Sequence, residues 1–303
     1  MKRATIVGAH GQDGRLLTGR LREAGYEVAA IGRDDWNVTN RLEAERIIGR
    51  ERPDELYYLA AHHNSSEDNL GDDTAALFEA SFDVQVTGLV NLLEATRKTS
   101  PATKLFYAAS SHVFSPATGG FQDENTPLNP QCVYGITKTA GIHCCRFYRR
   151  VHGVHASVGI MYNHESPFRA EKFVSQKIVR GALRIAEGRQ ESLLLGDLSA
   201  AIDWGYAPDY VDAMTRIVAL PEADDFVIAT GEAHTVQEFV ELAFTLVGLE
   251  WNKYVREDPS LIARRKKNLT GNSSRLRAAT GWRPSVTFPE MVEILLNAQR
   301  NAA

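Results

Sequence analysis

The segment Thr5-Ile6-Val7-Gly8-Ala9-His10-Gly11-Gln12-Asp13-Gly14 constrains the fold more than any other stretch. A short β-rich run enters a turn whose glycines are spaced G-x-x-G-x-x-G. A periodic segment from Arg15 to Ala24 follows, with Leu16, Leu17 and Leu21 on one face and Gly25 at its stop. Strand, glycine turn and helix in this order predict a parallel α/β sheet. Gly8 permits the tight turn, Gly11 lets a pyrophosphate approach the backbone, and Gly14 lets the helix pack closely on the strand. The phosphates then face the positive end of the helix. With His10, Gln12 and Asp13 these glycines form a candidate cofactor site. The alternative is a turn of the same shape without a ligand, and the βαβ context favours the dinucleotide reading.

The alternation continues downstream. Tyr26 to Ile31 reads as a second strand ending in Gly32-Arg33-Asp34-Asp35. An acid at this point holds the ribose 2′-hydroxyl of NAD, whereas an arginine accommodates the 2′-phosphate of NADP. Arg33 favours NADP, and Asp34 beside it keeps NAD open. Asn37 and Val38 are placed against the adenine. Arg41 to Arg50 reads as a helix and Glu55 to Ala61 as the third strand. Leu59, Ala60 and Ala61 end that strand on the cofactor side. His62-His63-Asn64 follows, where ligands of open α/β sheets bind. Adjacent histidines point different ways, which argues against a metal pair. His62 is a candidate substrate contact, with a plain loop as the alternative. Phe78 to Lys98 reads as one long helix.

Leu105 to Ala109 is an apolar strand ending in Ser110-Ser111-His112, and Tyr134-Gly135-Ile136-Thr137-Lys138 opens a helix further on. Residues at i and i+4 share one helix face. Lys138 is thus expected to sit beside the Tyr134 phenol and lower its pKa, making it a usable base. A serine-ended strand followed by this Tyr/Lys pair is an arrangement for hydride transfer, with Ser110, Ser111, His112, Tyr134 and Lys138 as candidate catalytic residues. A Y-x-x-x-K pair alone is otherwise a common helix surface.

The chain has 303 residues, 44% of them hydrophobic and 24% charged, enough for one large or two modest domains. A net charge of −4 argues against a nucleic-acid surface. No apolar run approaches the ~20 residues of a membrane span, and the N-terminus leads directly into a strand, so a cytoplasmic enzyme is expected. Cys132, Cys144 and Cys145 form neither a disulfide framework nor a metal set. After Ala156–Met161, a further strand, the regular βα rhythm breaks. Thr235 to Gly248 begins with a capping box, Thr235 and Glu238. The predicted fold is a Rossmann-type doubly wound parallel sheet (residues 1–161 plus 203–230). A smaller C-terminal α/β substrate-binding domain (162–202 plus 231–303) completes it.

Several ordered segments resemble the GDP-mannose 4,6-dehydratases of the extended short-chain dehydrogenase/reductase superfamily. They are Gly11-Gln12-Asp13-Gly14, Gly159 to Pro167 with its N-H-E-S-P, Phe173 to Ile178, Asp203 to Val211 and Asp225 to Glu232. The chain is shorter than typical members, chiefly after the second strand. The resemblance implies a GDP-linked sugar as substrate. Tyr134 takes the C4 hydroxyl proton as hydride passes to the nicotinamide, a base removes the C5 hydrogen as water leaves C6, and the hydride returns to C6. Ser110 matches the family threonine that hydrogen-bonds the C4 oxygen. Asn163, Glu165 and Lys177 match positions beside the substrate. Asn163 also touches the cofactor. Three departures stand out: His112 replaces the family glutamate of the elimination step, Ile202 replaces a phosphate-binding arginine, and the late R-P-x-E-V segment is Ile262 to Lys267. Arg264 and Arg265 keep positive charge there for the diphosphate. At least a homodimer is implied, through helices 78–98 and 134–152, with a tetramer open. The runner-up activity is a GDP-sugar C4 dehydrogenase, reductase or epimerase without dehydration. A non-catalytic dinucleotide sensor is the reading from another class.

Overall fold

The computed structural model describes residues 1–62, 73–115, 120–261 and 269–302. Arg264 and Arg265, with His63 and Asn64, lie outside the described residues. The chain begins β1 (Arg3–Val7), α1 (Gln12–Glu23), β2 (Glu27–Ile31), α2 (Arg41–Glu51), β3 (Glu55–Tyr58). It continues α3 (Thr74–Phe82), α4 (Gly88–Thr99), β4 (Lys104–Ser110), α5 (Val133–His152), β5 (Ala156–Met161). After β6 (Asn163–Glu165) come α6 (Val174–Ala186), β7 (Leu193–Leu195), β8 (Ala201–Tyr206), α7 (Ala207–Ala219) and β9 (Asp225–Ile228). The last elements are β10 (Ala233–Thr235), α8 (Val236–Leu246), α9 (Trp251–Tyr254), β11 (Val255–Glu257), α10 (Ser274–Thr280) and α11 (Phe288–Ala302).

Six strands pair in parallel in the order β2-β1-β3-β4-β5-β9. Period-2 alternation divides their side chains between two helical layers. Leu105, Tyr107 and Ala109 of β4 join a core with Leu89, Leu92 and Ile142 of α4 and α5. Phe106 and Ala108 join Leu17 and Leu21 of α1 and Tyr210 and Met214 of α7 on the other side. Strand order reverses between β1 and β3, and ligands of such sheets bind outside the strand ends at that point. Gly8 and residues 59–62 flank this crevice, as the sequence implied.

The helix expected from Phe78 to Lys98 is interrupted: α3 ends at Phe82, Asp83–Thr87 forms a π-helical turn, and α4 begins at Gly88. The wider turn carries Gln85 inward, where it is fully buried. Its carbonyl accepts the His62 N–H at 3.1 Å, and its amide donates to Thr137 of α5. π-turns of this kind mark sites where a helix must aim a side chain.

The C-terminal segments form a sheet β10-β8-β6 and a pair β11-β7, with Trp204, Phe239, Phe288 and Leu295 in their core. The Thr235/Glu238 capping box opens α8 as expected. Asp203 of β8 ties these segments together. Its buried carboxylate accepts the Thr230 N–H at 3.0 Å, the Thr230 hydroxyl at 2.6 Å, and the Gly231 and Gly271 N–H groups at 3.1 Å. The architecture is a parallel central sheet with helices on both faces and a smaller C-terminal α/β assembly.

Candidate active site

The glycine turn forms the floor of the crevice. Gly8 has φ of +92°, and a Cβ there would stand 2.7 Å from the Ala60 nitrogen. On Gly14 it would stand 2.4 Å from the Gly8 carbonyl oxygen. These two glycines let β1, α1 and the segment after β3 close on one another. At Gly11 the nearest atom to such a Cβ is 3.5 Å away, so its outer side is open. Gly11 caps α1 without a side-chain hydrogen bond, which leaves the first N–H groups of the helix for an anion. The cradle fits a dinucleotide pyrophosphate. The His10 ring packs over Gly32, and Asp35 is tied to the turn by accepting the Gly32 N–H at 2.7 Å. Arg33 and Asp34 are both exposed beside it. The Asn37 side-chain oxygen accepts from Thr39, and Val38 packs against the position of Gly88.

The structure brings Ser110, Tyr134 and Lys138 together. Ser110 ends β4, and its hydroxyl works to favour the ionised Tyr134 phenol. Lys138 is buried and donates to the Ala108 carbonyl at 2.7 Å, with its Nζ 5.6 Å from the Tyr134 ring centroid. The expected lowering of the phenol pKa by Lys138 is not the dominant effect. Burial raises Tyr134 above its ordinary value and pushes Lys138 down to about 7. Both groups are withdrawn from water on one helix face, and each loses the solvation its charged form needs. Ser111 is buried in the turn Ser111–Val113 after β4. The His112 ring in that turn meets the Tyr134 ring edge-on, 5.8 Å between centroids.

Two groups beyond the expected set shape the electrostatics. The Asp13 carboxylate lies 3.0 Å from His164 Nε2, and the His164 ring stacks on Tyr210. Burial works to raise Asp13 and to lower His164, and their mutual attraction outweighs it in both, so the pair is ionic. Gln12 donates to the His164 carbonyl at 3.1 Å and accepts from the Ser166 hydroxyl at 2.9 Å. The second group is Arg169, whose charge stabilises the Tyr134 phenolate and Asp13. Its guanidinium carbon lies 3.6 Å from the Phe173 ring centroid. Glu165, expected at the substrate, is instead 1% exposed, accepting from Ser175 at 2.6 Å and pairing with Arg169 at 3.5 Å. Its geometry suits holding Arg169. Asn163 opens β6 opposite Trp204, and Lys177 is half-buried in the first turn of α6. Ile202 is 8% exposed and belongs to the small core. His164 sits inside N-H-E-S-P and Arg169 two residues beyond it, but nothing local in the sequence shows which side chains reach the tyrosine.

The family model described as GDP-mannose 4,6 dehydratase matches residues 35–295. GDP-mannose 4,6 dehydratase 1 of Arabidopsis thaliana is 36% identical over 329 aligned positions, covering 98% of this chain and 89% of that protein. GDP-mannose 4,6 dehydratase of Homo sapiens is 31% identical over 346 positions, covering 97% and 90%. Both alignments are longer than the 303 residues present here, so these relatives carry segments the chain lacks. In the fold, the structure of RMD from Pseudomonas aeruginosa complexed with NADPH superposes with a TM-score of 0.87 over 100% of both chains at 22% identity. With the glycine cradle, the Ser/Tyr/Lys constellation and the N-H-E-S-P segment in their places, the chain belongs to the GDP-mannose 4,6-dehydratase family.

Proposed function

We propose that this protein is an NADP-dependent enzyme that dehydrates a GDP-linked hexose across C5 and C6, with GDP-mannose as the first candidate. The observation that carries this reading is the constellation of Ser110 at the end of β4 with Tyr134 and the buried Lys138 on one face of α5, in a chain matched by the family nearly end to end. NADP, when bound, accepts hydride from C4 and returns it to C6. The residues present do the rest. Tyr134 takes the C4 hydroxyl proton, helped by the Ser110 hydroxyl and the Arg169 charge. Ser110 donates to the C4 oxygen. Lys138 shares the proton of the buried pair. Once C4 is a ketone the C5 hydrogen is acidic, and His112 serves as acid and base for loss of water. Gly8 to Gly14 hold the pyrophosphate, with His10, Gln12 and Asp13 shaping the turn. Arg33 meets the 2′-phosphate, Asn37 and Val38 the adenine side, and Leu59 to Ala61 the opposite wall. His62, Asn163 and Lys177 face the sugar nucleotide.

Residues 1–161 with 203–230 are the dinucleotide-binding unit in this reading and 162–202 with 231–303 the sugar-nucleotide unit, with the boundary moved at one point: β8 (Ala201–Tyr206) pairs with β6 and β10 and goes whole with the second unit. A homodimer is assigned to the outer face of α5, where Ile136, Phe147 and Val151 are exposed. A concavity of about 540 Å³ is lined there by His143, Phe147 and Tyr148. Among the described residues no helix is long and apolar enough to cross a membrane, and we place the enzyme in the cytoplasm. One observation favours a second reading, C4 oxidation or reduction without dehydration: an imidazole, His112, stands beside Tyr134 where the family has a carboxylate. Incubation with GDP-mannose and NADP, followed by NMR at C6, decides between them. A 6-deoxy-4-keto product is expected. Oxidation at C4 with the C6 hydroxyl retained overturns dehydration, and full turnover by Tyr134→Phe overturns the catalytic assignment altogether.

A further inference from the structure

His112 is held from a second side, by a residue to which neither the sequence pattern nor the expected reaction gives a task. Cys132 is the N-cap of α5, and its Sγ accepts the Gly135 N–H at 3.4 Å. The same sulfur lies 3.7 Å from His112 Nδ1. The backbone fixes both ends of this contact. A Cβ on Gly135 would stand only 2.2 Å from the His112 carbonyl oxygen, so the first turn of α5 rests directly on the turn that carries the imidazole. The ring is thus bounded by Sγ at Nδ1 and by the Tyr134 ring, met edge-on. Cys132 is half-buried, a free thiol, and two residues before Tyr134 in the chain.

We propose that Cys132 is the positioning residue of the elimination step, holding His112 through Nδ1 so that Nε2 is the atom that exchanges the proton with the sugar. The proposal rests on the dehydratase reading. The two ring nitrogens lie on opposite sides of an imidazole, and the partner of one sets the protonation of the other. A thiol sulfur is a weak acceptor with lone pairs to spare. In the arrangement proposed Sγ accepts Nδ1–H alongside the Gly135 N–H, and the neutral ring keeps its basic lone pair on Nε2. That lone pair takes the C5 proton of the 4-ketone, and the C5–H electron pair passes into the enolate. As it moves on to form the C5–C6 double bond, the C6–O bond breaks. The departing oxygen takes the proton back from Nε2–H and leaves as water. The ring returns to its starting tautomer, and nothing is oxidised or reduced in this step.

The test compares the intact protein with Cys132→Ala and Cys132→Ser, using two readouts. Long-range ¹H–¹⁵N NMR of the histidine rings reports the His112 tautomer without turnover. The wild type is expected as the Nδ1–H form, Cys132→Ala as mainly Nε2–H, and Cys132→Ser as wild type, because the serine oxygen accepts both N–H groups. With GDP-mannose and NADP, Cys132→Ala should oxidise C4 at the wild-type rate but lose water about tenfold more slowly, part of the roughly 10²–10⁴-fold that acid–base catalysis supplies. Cys132→Ser should restore the rate. An unchanged tautomer in Cys132→Ala, or an unchanged rate of water loss, overturns the proposal, as does equal slowing of oxidation and water loss with no rescue by serine. Failure of the dehydratase reading looks different: the unmutated protein itself then retains the C6 hydroxyl.

Discussion

Lys138 and Tyr134 lie one helical turn apart, and burial drives their ionisation in opposite directions. The pairing itself was legible, because i and i+4 spacing needs only a helix. Its electrostatics were not, because they depend on how completely β4 and α5 exclude water. The consequence for stability can be signed. Lys138 has a folded pKa of about 7 against an ordinary 10.5. Below the folded value both states carry the proton, and the folded state bears the full cost of a buried cation. Between the two values the unfolded chain binds more protons than the folded one, so stability rises with pH until the penalty is gone. Lys138→Met keeps the stem and removes the charge. The variant, without cofactor, is expected to melt a few degrees above wild type at pH 6. The gap should close as pH rises towards 10.5. Turnover should fall by roughly 100-fold or more. A variant that instead melts below wild type, by an amount constant from pH 6 towards 10.5, would mean that Lys138 is charged and well paired in the folded protein.

The first turn of α5 is where the elements converge, and its glycine decides how closely they do so. A Cβ on Gly135 would meet the His112 carbonyl oxygen at 2.2 Å and Pro130 Cβ at 3.0 Å, neither at the end of a flexible side chain. Gly135→Ala should therefore cost about 1–3 kcal/mol by overpacking. It should also lower turnover, because relief of the clash lifts Tyr134 away from Ser110. Gly19 in α1 is the contrast, with nothing within 4 Å of an added Cβ. Gly19→Ala should raise stability by roughly 0.5–1 kcal/mol through helix propensity alone, with turnover unchanged. Urea midpoints and initial rates for the two variants check both, and equal effects would sink the packing argument. Elements of this length were readable because each shows its own period. The π-turn at Asp83–Thr87 was not: Leu89, Leu92 and Leu93 keep helical spacing after it, and Asp-Val-Gln-Val-Thr carries no mark of the extra residue per turn. The inward swing of Gln85 exists only because the segment after β3 and the helix α5 offer it His62 and Thr137.

Across the whole molecule, the large sheet could be foreseen from long apolar strands, whereas β6, β7, β10 and β11 have three residues each, too few to show alternation. Their pairing is dictated by what they dock against, and so is the join between the small assembly and the large sheet. Asp13 belongs to the first turn of α1, behind the glycine turn after β1, and His164 to β6 of the small sheet, and their ion pair bridges the two. Loss of one member strands a buried charge, so His164→Gln should cost on the order of 3 kcal/mol. The pH dependence follows from the directions of the two shifts. His164 is raised above its ordinary 6.5, so its contribution is complete below that value and is lost as pH rises through the folded pKa. Asp13 is lowered beneath its ordinary 3.8, so its contribution is complete above that value and is lost as pH falls through the folded pKa. The wild-type advantage over His164→Gln should form a plateau between 3.8 and 6.5 and decline on the alkaline side. Urea midpoints of both proteins at pH 4, 6, 8 and 9 would trace it. Because the pair anchors the turn that receives the pyrophosphate, NADP affinity should weaken in the variant and follow the same alkaline decline in the wild type. A stability difference that stays constant from pH 6 to 9 would mean that His164 is neutral and that the two halves are joined by shape rather than charge.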